Sequence, residues 1–337
     1  MSKIAVIGAG SWGTALAIVL ADNGHNVCLW ARRHDQIEEM NSQHTNSKYL
    51  PSITLSESIV GSADLGETVQ GADVILLVVP TKAIRETVRK IKQELEHPVT
   101  IIHASKGIEP GTHKRVSEMI EEELEGTGFL RNVVVLSGPS HAEEVSLRQP
   151  TTVTVSSKDH GAAELAQDLF MNKHFRVYTN PDLIGVEIGG ALKNIIALVC
   201  GLTNGLEMGD NTKAAIMTRG LAEITRLGVS LGANPLTFAG LSGLGDLIVT
   251  CTSVHSRNFR AGQMIGKGKS IDEVLDSMGM VVEGIRTTKA THELATKLQV
   301  EMPITASLYA VLFSGLEPKV AAEQLMGRVK KHEVEQL

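Results

Sequence analysis

Three groups of residues in this chain have types and spacings that could do chemistry. The first is a glycine-rich turn, Gly8-Ala9-Gly10-Ser11-Trp12-Gly13, set between a short β-rich run, Ile4–Ile7, and an Ala/Leu-rich helical segment. In that context the first glycine permits a tight turn, and the second lets backbone approach a pyrophosphate. The third lets the helix pack close to the strand. The helix N-terminus offers N–H groups and the positive end of a dipole to phosphates. A purely structural glycine turn is the alternative. The second group is two lysines. Lys193 lies in Gly189–Ala197, which is small or apolar nearly all round except for Lys193 and Asn194. An ammonium there is costly unless paired, and desolvation lowers its pKa towards the range of an acid/base group working near neutral pH. The alternative is a lysine that snorkels to the surface. Lys106, in Ser105-Lys106-Gly107, falls just past an apolar run. The third group is the Gly-rich loop Leu241–Leu247, which carries Asp246, with Ser256-Arg257-Asn258 before a helical segment. A hydroxyl, a guanidinium, an amide and helix N–H groups together suit a phosphate, with a plain helix cap as the alternative.

The elements that must position these residues divide the chain in two. Strand candidates Ile4–Ile7, Asn26–Trp30, Val74–Val79, Val99–His103, Val133–Leu136, Thr151–Ser156 and Phe175–Tyr178 fill the first half. Between them fall helical patterns at Thr14–Asp22, Thr81–Glu96, Thr112–Leu124 and Gly161–Asn172, and a polar, Asn/Ser-rich segment runs to about Pro51. Such alternation predicts an α/β fold, a Rossmann-type, mostly parallel, doubly wound sheet. Ligands of such sheets gather at the carboxyl ends of strands, where Pro80-Thr81, Ser105–Gly107 and Ser137-Gly138-Pro139-Ser140 stand. Gly-Pro-Ser there could equally be only a turn. Beyond about Pro181 helical periodicity dominates to Val329. A capping box is expected at Ser270–Glu273, and Pro303 starts or interrupts a helix. The expected domains are 1–185, binding a dinucleotide, and 186–337, all-helical and binding substrate.

Composition narrows the class. At 42 % apolar, 21 % charged and only 3 % aromatic, the core must be built from Val, Ile, Leu, Ala and Met, which suits parallel strands covered by helices. The net charge of −6, with no basic stripe interleaved with aromatics, argues against a nucleic-acid surface. Cys28, Cys200 and Cys251 are widely spaced and read as reduced thiols in or near the core. The histidines show no metal-binding spacing, so no metal is expected. Gly266-Lys267-Gly268-Lys269-Ser270 is not a phosphate loop: Gln263 replaces the required glycine and no strand precedes it. The longest apolar stretches, such as Val74–Pro80 and Ile195–Gly201, are too short to span a bilayer. A first strand at about Lys3 leaves no room for a signal peptide, so a cytoplasmic location is expected.

The second strand ends Leu29-Trp30-Ala31-Arg32-Arg33, with no acid before Asp35. An acid there would bind ribose hydroxyls and repel a 2′-phosphate, whereas guanidinium can pair with one. NADPH is therefore preferred over NADH, the alternative being that both arginines are only a solvated turn.

Taken together, five ordered blocks resemble the bacterial biosynthetic NAD(P)-dependent glycerol-3-phosphate dehydrogenases. They are Gly-Ala-Gly-Ser-Trp-Gly-Thr-Ala at 8–15, Ser-Lys-Gly at 105–107, Gly-Pro-Ser-His-Ala-Glu-Glu-Val at 138–145, Gly-Ala-Leu-Lys-Asn at 190–194, and Leu-Ser-Gly-Leu-Gly-Asp-Leu…Ser-Arg-Asn at 241–258. The resemblance implies reduction of dihydroxyacetone phosphate to sn-glycerol 3-phosphate, a phospholipid precursor, with a homodimer as the possible assembly. It implies Lys193 as proton donor and acceptor, its ammonium oriented by Asp246, with Lys106, Gly138, Ser140, Asp246, Ser256, Arg257 and Asn258 at the substrate. As cofactor contacts it implies Ser11, Trp12, Arg32, Arg33, Lys106, Ala142, Arg257, Val281 and Glu283, beside Gly8, Gly10 and Gly13. Relatives often carry Gly-Pro-Asn or Gly-Pro-Thr where this chain has Gly-Pro-Ser-His, which leaves His141 without an assigned role.

Overall fold

The computed structural model describes residues 2–278, 281–330 and 332–333. The chain divides into two compact units: one runs through Ser105 and resumes over Val116–Leu183, and the other holds Lys106–Arg115 and the residues from Ile184 onward.

The first unit is a helix-covered sheet. In chain order it contains β1 (Lys3–Ile7), α1 (Ser11–Asp22), β2 (Asn26–Trp30), α2 (His34–Gln43), β3 (Thr45–Asn46), β4 (Leu50–Thr54), β5 (Ile59–Ser62), α3 (Leu65–Val69), β6 (Val74–Leu77) and α4 (Ile84–Glu94). Then come β7 (Val99–His103), α5 (Val116–Leu124), β8 (Leu130–Ser137), α6 (Ala142–Ser146), β9 (Thr151–Ser157), α7 (His160–Phe170) and β10 (Phe175–Asn180). Eight strands form one sheet in the order β10-β9-β8-β7-β6-β1-β2-β5, while β3 and β4 pair separately. Every residue of β6 and β7 is buried, as strands covered on both faces must be. One apolar cluster packs under α1 and another under α4 and α5, on opposite faces of the sheet.

Three details depart from the sequence reading. The polar segment after Trp30 is not without structure: it forms α2 and the β3–β4 pair, and β5 and α3 follow. Helix α5 starts at Val116 rather than Thr112, because Gly111 and His113 turn the chain through left-handed backbone (φ +84° and +61°). Strands β8 and β9 are antiparallel, since the short segment between them is hardly long enough for a parallel crossover.

The second unit has no strand of its own among the described residues. It is built from α8 (Leu183–Gly205), α9 (Asp210–Ser230), a 3₁₀ turn (Pro235–Ala239), a π-helical turn (Leu241–Gly245), α10 (Asp246–Thr252) and α11 (Arg257–Gly266). These are followed by α12 (Ile271–Met278), α13 (Glu283–Leu298), α14 (Pro303–Phe313) and α15 (Pro318–Met326). The expected capping box is formed: Glu273 N donates to Ser270 Oγ and Ser270 N donates back to Glu273 Oε2 at 2.7 Å. Pro303 opens α14 rather than interrupting a helix.

Helix α8 corrects one expectation. At 23 residues it is long and apolar enough, by length and composition alone, to cross a membrane, although Glu187, Lys193 and Asn194 interrupt its apolar run. Its most apolar stretch is 94 % buried within the protein, as the central helix of an all-helical core is. It packs backbone to backbone on α11. A Cβ on Gly201 would lie 2.0 Å from Phe259 O, and one on Gly262 would lie 2.1 Å from Leu198 O. That close approach brings the start of α11 to the middle of α8.

Candidate active site

In the first unit, the turn between β1 and α1 is fixed by sterics. Gly8 has φ +117°, and a Cβ there would lie 2.6 Å from Val78 O. A Cβ on Gly13 would lie 1.9 Å from Gly8 O, so the helix can pack on its own turn only with glycine there. At Gly10 a Cβ would meet no protein atom within 4 Å, and no side chain caps α1. Space above Gly10 and an uncapped N-terminus are what a pyrophosphate needs, so these residues fit a dinucleotide. Ser11 Oγ donates to Tyr49 O at 2.9 Å, which ties the turn to the β3–β4 loop, and Trp12 packs on the core.

At the end of β2 the two arginines differ. Arg33 forms a fork on Asp35, with Nε 3.0 Å from Oδ1 and Nη2 on Oδ2, and that guanidinium holds the carboxyl below the usual range. Arg32 is exposed and has no ion-pair partner among the described residues. Elsewhere in this unit, Gly138 (φ +135°) lies against Val153, and Ser140 Oγ donates to Gly138 O at 2.9 Å. His141 precedes α6, and Ala142 is its buried first residue.

In the second unit three charged groups meet. Lys193, from α8, donates through Nζ to Asp246 Oδ1 and to Thr250 Oγ1 at 2.9 Å. Lys106 Nζ reaches the other carboxylate oxygen, Oδ2, at 2.6 Å. Their side chains are 9 %, 1 % and 19 % exposed for Lys193, Asp246 and Lys106. Asp246 is the first residue of α10, and Thr250, one turn on, returns a hydrogen bond to Asp246 O at 2.6 Å.

Two positive charges on one buried carboxylate set the electrostatics. Burial, reinforced by the ammonium of Lys106, pulls Lys193 down to about 7 against the attraction of Asp246. Burial pushes the Asp246 carboxyl up, but Lys106 and Lys193 together hold it below its ordinary value. Lys193 can therefore carry or release a proton near neutral pH, beside an anion that stays ionised.

The Ser256–Asn258 group is held beside this cluster. Ser256 Oγ caps α11, accepting from Phe259 N at 3.2 Å. Arg257 is exposed at the start of α11. Asn258 Nδ2 donates to Asn194 Oδ1 at 2.9 Å, and its Oδ1 accepts from Gly284 N at 2.9 Å. The amide is thus fixed one residue along α8 from Lys193. Val281 and Glu283 are half-buried, and Glu283 opens α13.

Thr250 and Asn194 are functional candidates that the sequence reading did not assign. A hydroxyl four residues beyond Asp246 on a helix is a usable signal for the first. The second required knowing that α11 crosses α8.

The chain matches the N-terminal domain described as NAD-dependent glycerol-3-phosphate dehydrogenase over residues 3–163, and the corresponding C-terminal domain over 182–323. It is 72 % identical to a glycerol-3-phosphate dehydrogenase [NAD(P)+] of Halalkalibacterium halodurans, covering all of this chain and 97 % of the relative. It is 69 % identical to the enzyme of that name from Shouchella clausii, covering 100 % of this chain and 99 % of the relative. The crystal structure of a glycerol-3-phosphate dehydrogenase from Coxiella burnetii superposes with a TM-score of 0.92 at 38 % identity, over 97 % of this chain and 99 % of that one.

Proposed function

This chain belongs to the NAD-dependent glycerol-3-phosphate dehydrogenase family, and from that premise we propose which of its residues do the chemistry. The enzyme reversibly reduces dihydroxyacetone phosphate to sn-glycerol 3-phosphate with NADH or NADPH. When bound, the reduced nicotinamide supplies the hydride that adds to the carbonyl carbon. Lys193 supplies the proton at the oxygen. Its ammonium first stabilises the negative charge developing there and then donates, which a group poised near pH 7 does well. Asp246 holds the ammoniums of Lys193 and Lys106 on one carboxylate, and Thr250 fixes the direction of the Lys193 N–H bonds. Lys106 adds a second positive charge at the substrate.

Arg257, Asn258, Ser256 and the N-terminus of α11 hold the phosphate, and Gly138 and Ser140 complete the substrate contacts. Binding energy from the phosphate, remote from the reacting carbon, is converted into alignment of the carbonyl. The observation that carries this reading is the buried Lys193–Asp246–Lys106 cluster.

Gly8, Gly10, Ser11, Trp12 and Gly13 cradle the cofactor pyrophosphate, with Lys106, Ala142, Arg257, Val281 and Glu283 as further contacts. Arg32 receives the 2′-phosphate of NADPH, the preferred cofactor, while Arg33 supports it from its pair with Asp35. Work in the direction of reduction supplies the phospholipid backbone, from a cytoplasmic homodimer. Following the loss of NADPH and NADH absorbance with dihydroxyacetone phosphate, pyruvate or an acetoacetyl thioester tests the reading. Oxidation is expected with the first substrate alone and more readily with NADPH. No oxidation with that substrate under either cofactor would overturn it.

A further inference from the structure

Residues Lys106–Arg115 belong to the second unit although the chain on either side of them belongs to the first. The segment closes on itself. Ile108 and Arg115 form an antiparallel bridge, Glu109 N donates to Lys114 O and His113 N to Glu109 O, each at 2.9 Å. It is then tied down at its far end. Arg115 Nη1 lies 2.5 Å from Glu187 Oε2 with both side chains largely buried, at 13 % and 5 % exposure. His113 Nε2 lies 3.3 Å from Glu293 Oε2 of α13, and Ile108 is buried in the helical core. The near end of the same segment is Lys106.

Glu187 and Lys193 stand six residues apart on α8, so one helix carries both the anchor for Arg115 and the ammonium that shares Asp246 with Lys106. A lysine on a four-carbon stem at the start of a loop has many places to go, and its own ion pair restrains only its tip. The Ile108–Arg115 bridge carries the restraint at Arg115 to a residue two positions from Lys106.

We propose that Arg115 is a positioning residue for the reaction: its ion pair with Glu187 locks the 106–115 segment so that Lys106 stays on Asp246 beside Lys193. This rests on the roles proposed above for Lys106 and Lys193. The pair does more than neutralise two buried charges.

The test is the pH dependence of kcat for dihydroxyacetone phosphate reduction in four full-length proteins. They are the parent, Arg115→Met/Glu187→Leu, Arg115→Lys and Lys106→Ala, with Tm measured alongside. The double variant removes the ion pair without leaving one charge buried alone. The groups facing Lys193 are Asp246, Lys106 and Thr250, with the thiol of Cys251 close behind. Reduction needs protonated Lys193, so activity falls above its pKa. When Lys106 drifts away, a neighbouring positive charge is lost and that fall moves to higher pH.

The double variant is expected to lose about tenfold in kcat, with the fall displaced upward by about half a unit to one unit. Arg115→Lys should stay within about threefold of the parent with the fall unmoved, because an ammonium can still reach Glu187. A folded double variant with parental kcat and pH profile, while Lys106→Ala shifts the profile, would overturn the inference and leave the roles of the lysines intact. If Lys106→Ala does not shift the profile either, the role of Lys106 falls and the inference with it. Should the double variant not fold, Glu187→Gln is read the same way: a smaller loss with a shifted profile supports the inference, and an unchanged profile overturns it.

Discussion

The turn at Gly8–Gly13 and the cluster around Asp246 are built by opposite means for the same proposed task, holding a charged ligand. The first is made of backbone: its specificity lies in where side chains are absent, and all of it comes from six consecutive residues. The second is made of side chains drawn from positions 106, 193, 246 and 250, and its property is a charge balance that no member has alone. The backbone site tolerates no added atom at Gly8 or Gly13. A charge cluster tolerates changes of shape better than the loss of one charge.

Removing a charge from the cluster should have the largest effect. Asp246→Asn leaves two ammoniums without their shared anion. It should reduce kcat about 10³-fold or more and cost about 3–5 kcal/mol of stability in the second unit, read by steady-state kinetics and urea unfolding. NADPH binding, followed by fluorescence, should fall by less than about tenfold, since Lys106 is the one member of the cluster assigned to the cofactor; a loss as large as that in kcat would mean that the cluster holds the cofactor itself.

Adding an atom to the turn comes next. Gly13→Ala places a Cβ where Gly8 O now lies, and overpacking of this kind costs about 1–3 kcal/mol. Cofactor affinity measured by calorimetry should fall at least about tenfold, whereas the pH at which kcat falls should stay at the parental value.

A smaller effect separates the two arginines. Arg32→Ala should raise KM for NADPH about tenfold and leave KM for NADH within about twofold, because only the former carries a 2′-phosphate. Equal effects on both cofactors would show that Arg32 is only a solvated turn residue.

The smallest effect lies in the second unit but away from the cluster. Glu223 is buried and accepts from Ile304 N, Thr305 N and Thr305 Oγ1 at the start of α14. Burial pushes its carboxyl up from 4.5 to about 7 against those hydrogen bonds. Here the folded state keeps its proton to higher pH than the unfolded chain does. This contribution to stability is therefore complete below about pH 4.5, declines between 4.5 and about 7, and is flat above. Urea midpoints at pH 4.5 and 7.5 should differ less in Glu223→Gln than in the parent, and an identical difference would remove Glu223 as the cause.

These contrasts also explain what could be read from the sequence. The turn was legible because its residues are contiguous and Gly8 and Gly13 each answer a steric demand. Lys193 was legible because a lysine inside an apolar helix contradicts its neighbours. Asp246 was legible as an acid in a glycine-rich loop that could orient Lys193; that it would take Lys106 as well depended on where the fold leads the 106–115 segment. Arg32 and Arg33 read as equals, and of the two only Arg33 has an ion-pair partner among the described residues, Asp35. The course of 106–115 left no local trace, because its anchors, Glu187 and Glu293, stand far along the chain. Residues 31–73 hid α2, β5 and α3 for another reason: α2 is polar and buries only Gln36 and Met40, α3 has five residues, and β5 is an edge strand of four.

The central claim is that Lys193 moves the proton. It is tested most directly by kcat for dihydroxyacetone phosphate reduction between pH 5.5 and 9 in the parent and in Lys193→Ala, with NADPH affinity measured on both. The parent should lose activity with an apparent pKa near 7. Lys193→Ala should lose about 10²- to 10⁴-fold in kcat and the pH-dependent fall with it, while binding NADPH within about twofold of the parent. A Lys193→Ala enzyme that binds cofactor and turns over at a near-parental rate with the same fall near pH 7 would contradict the account.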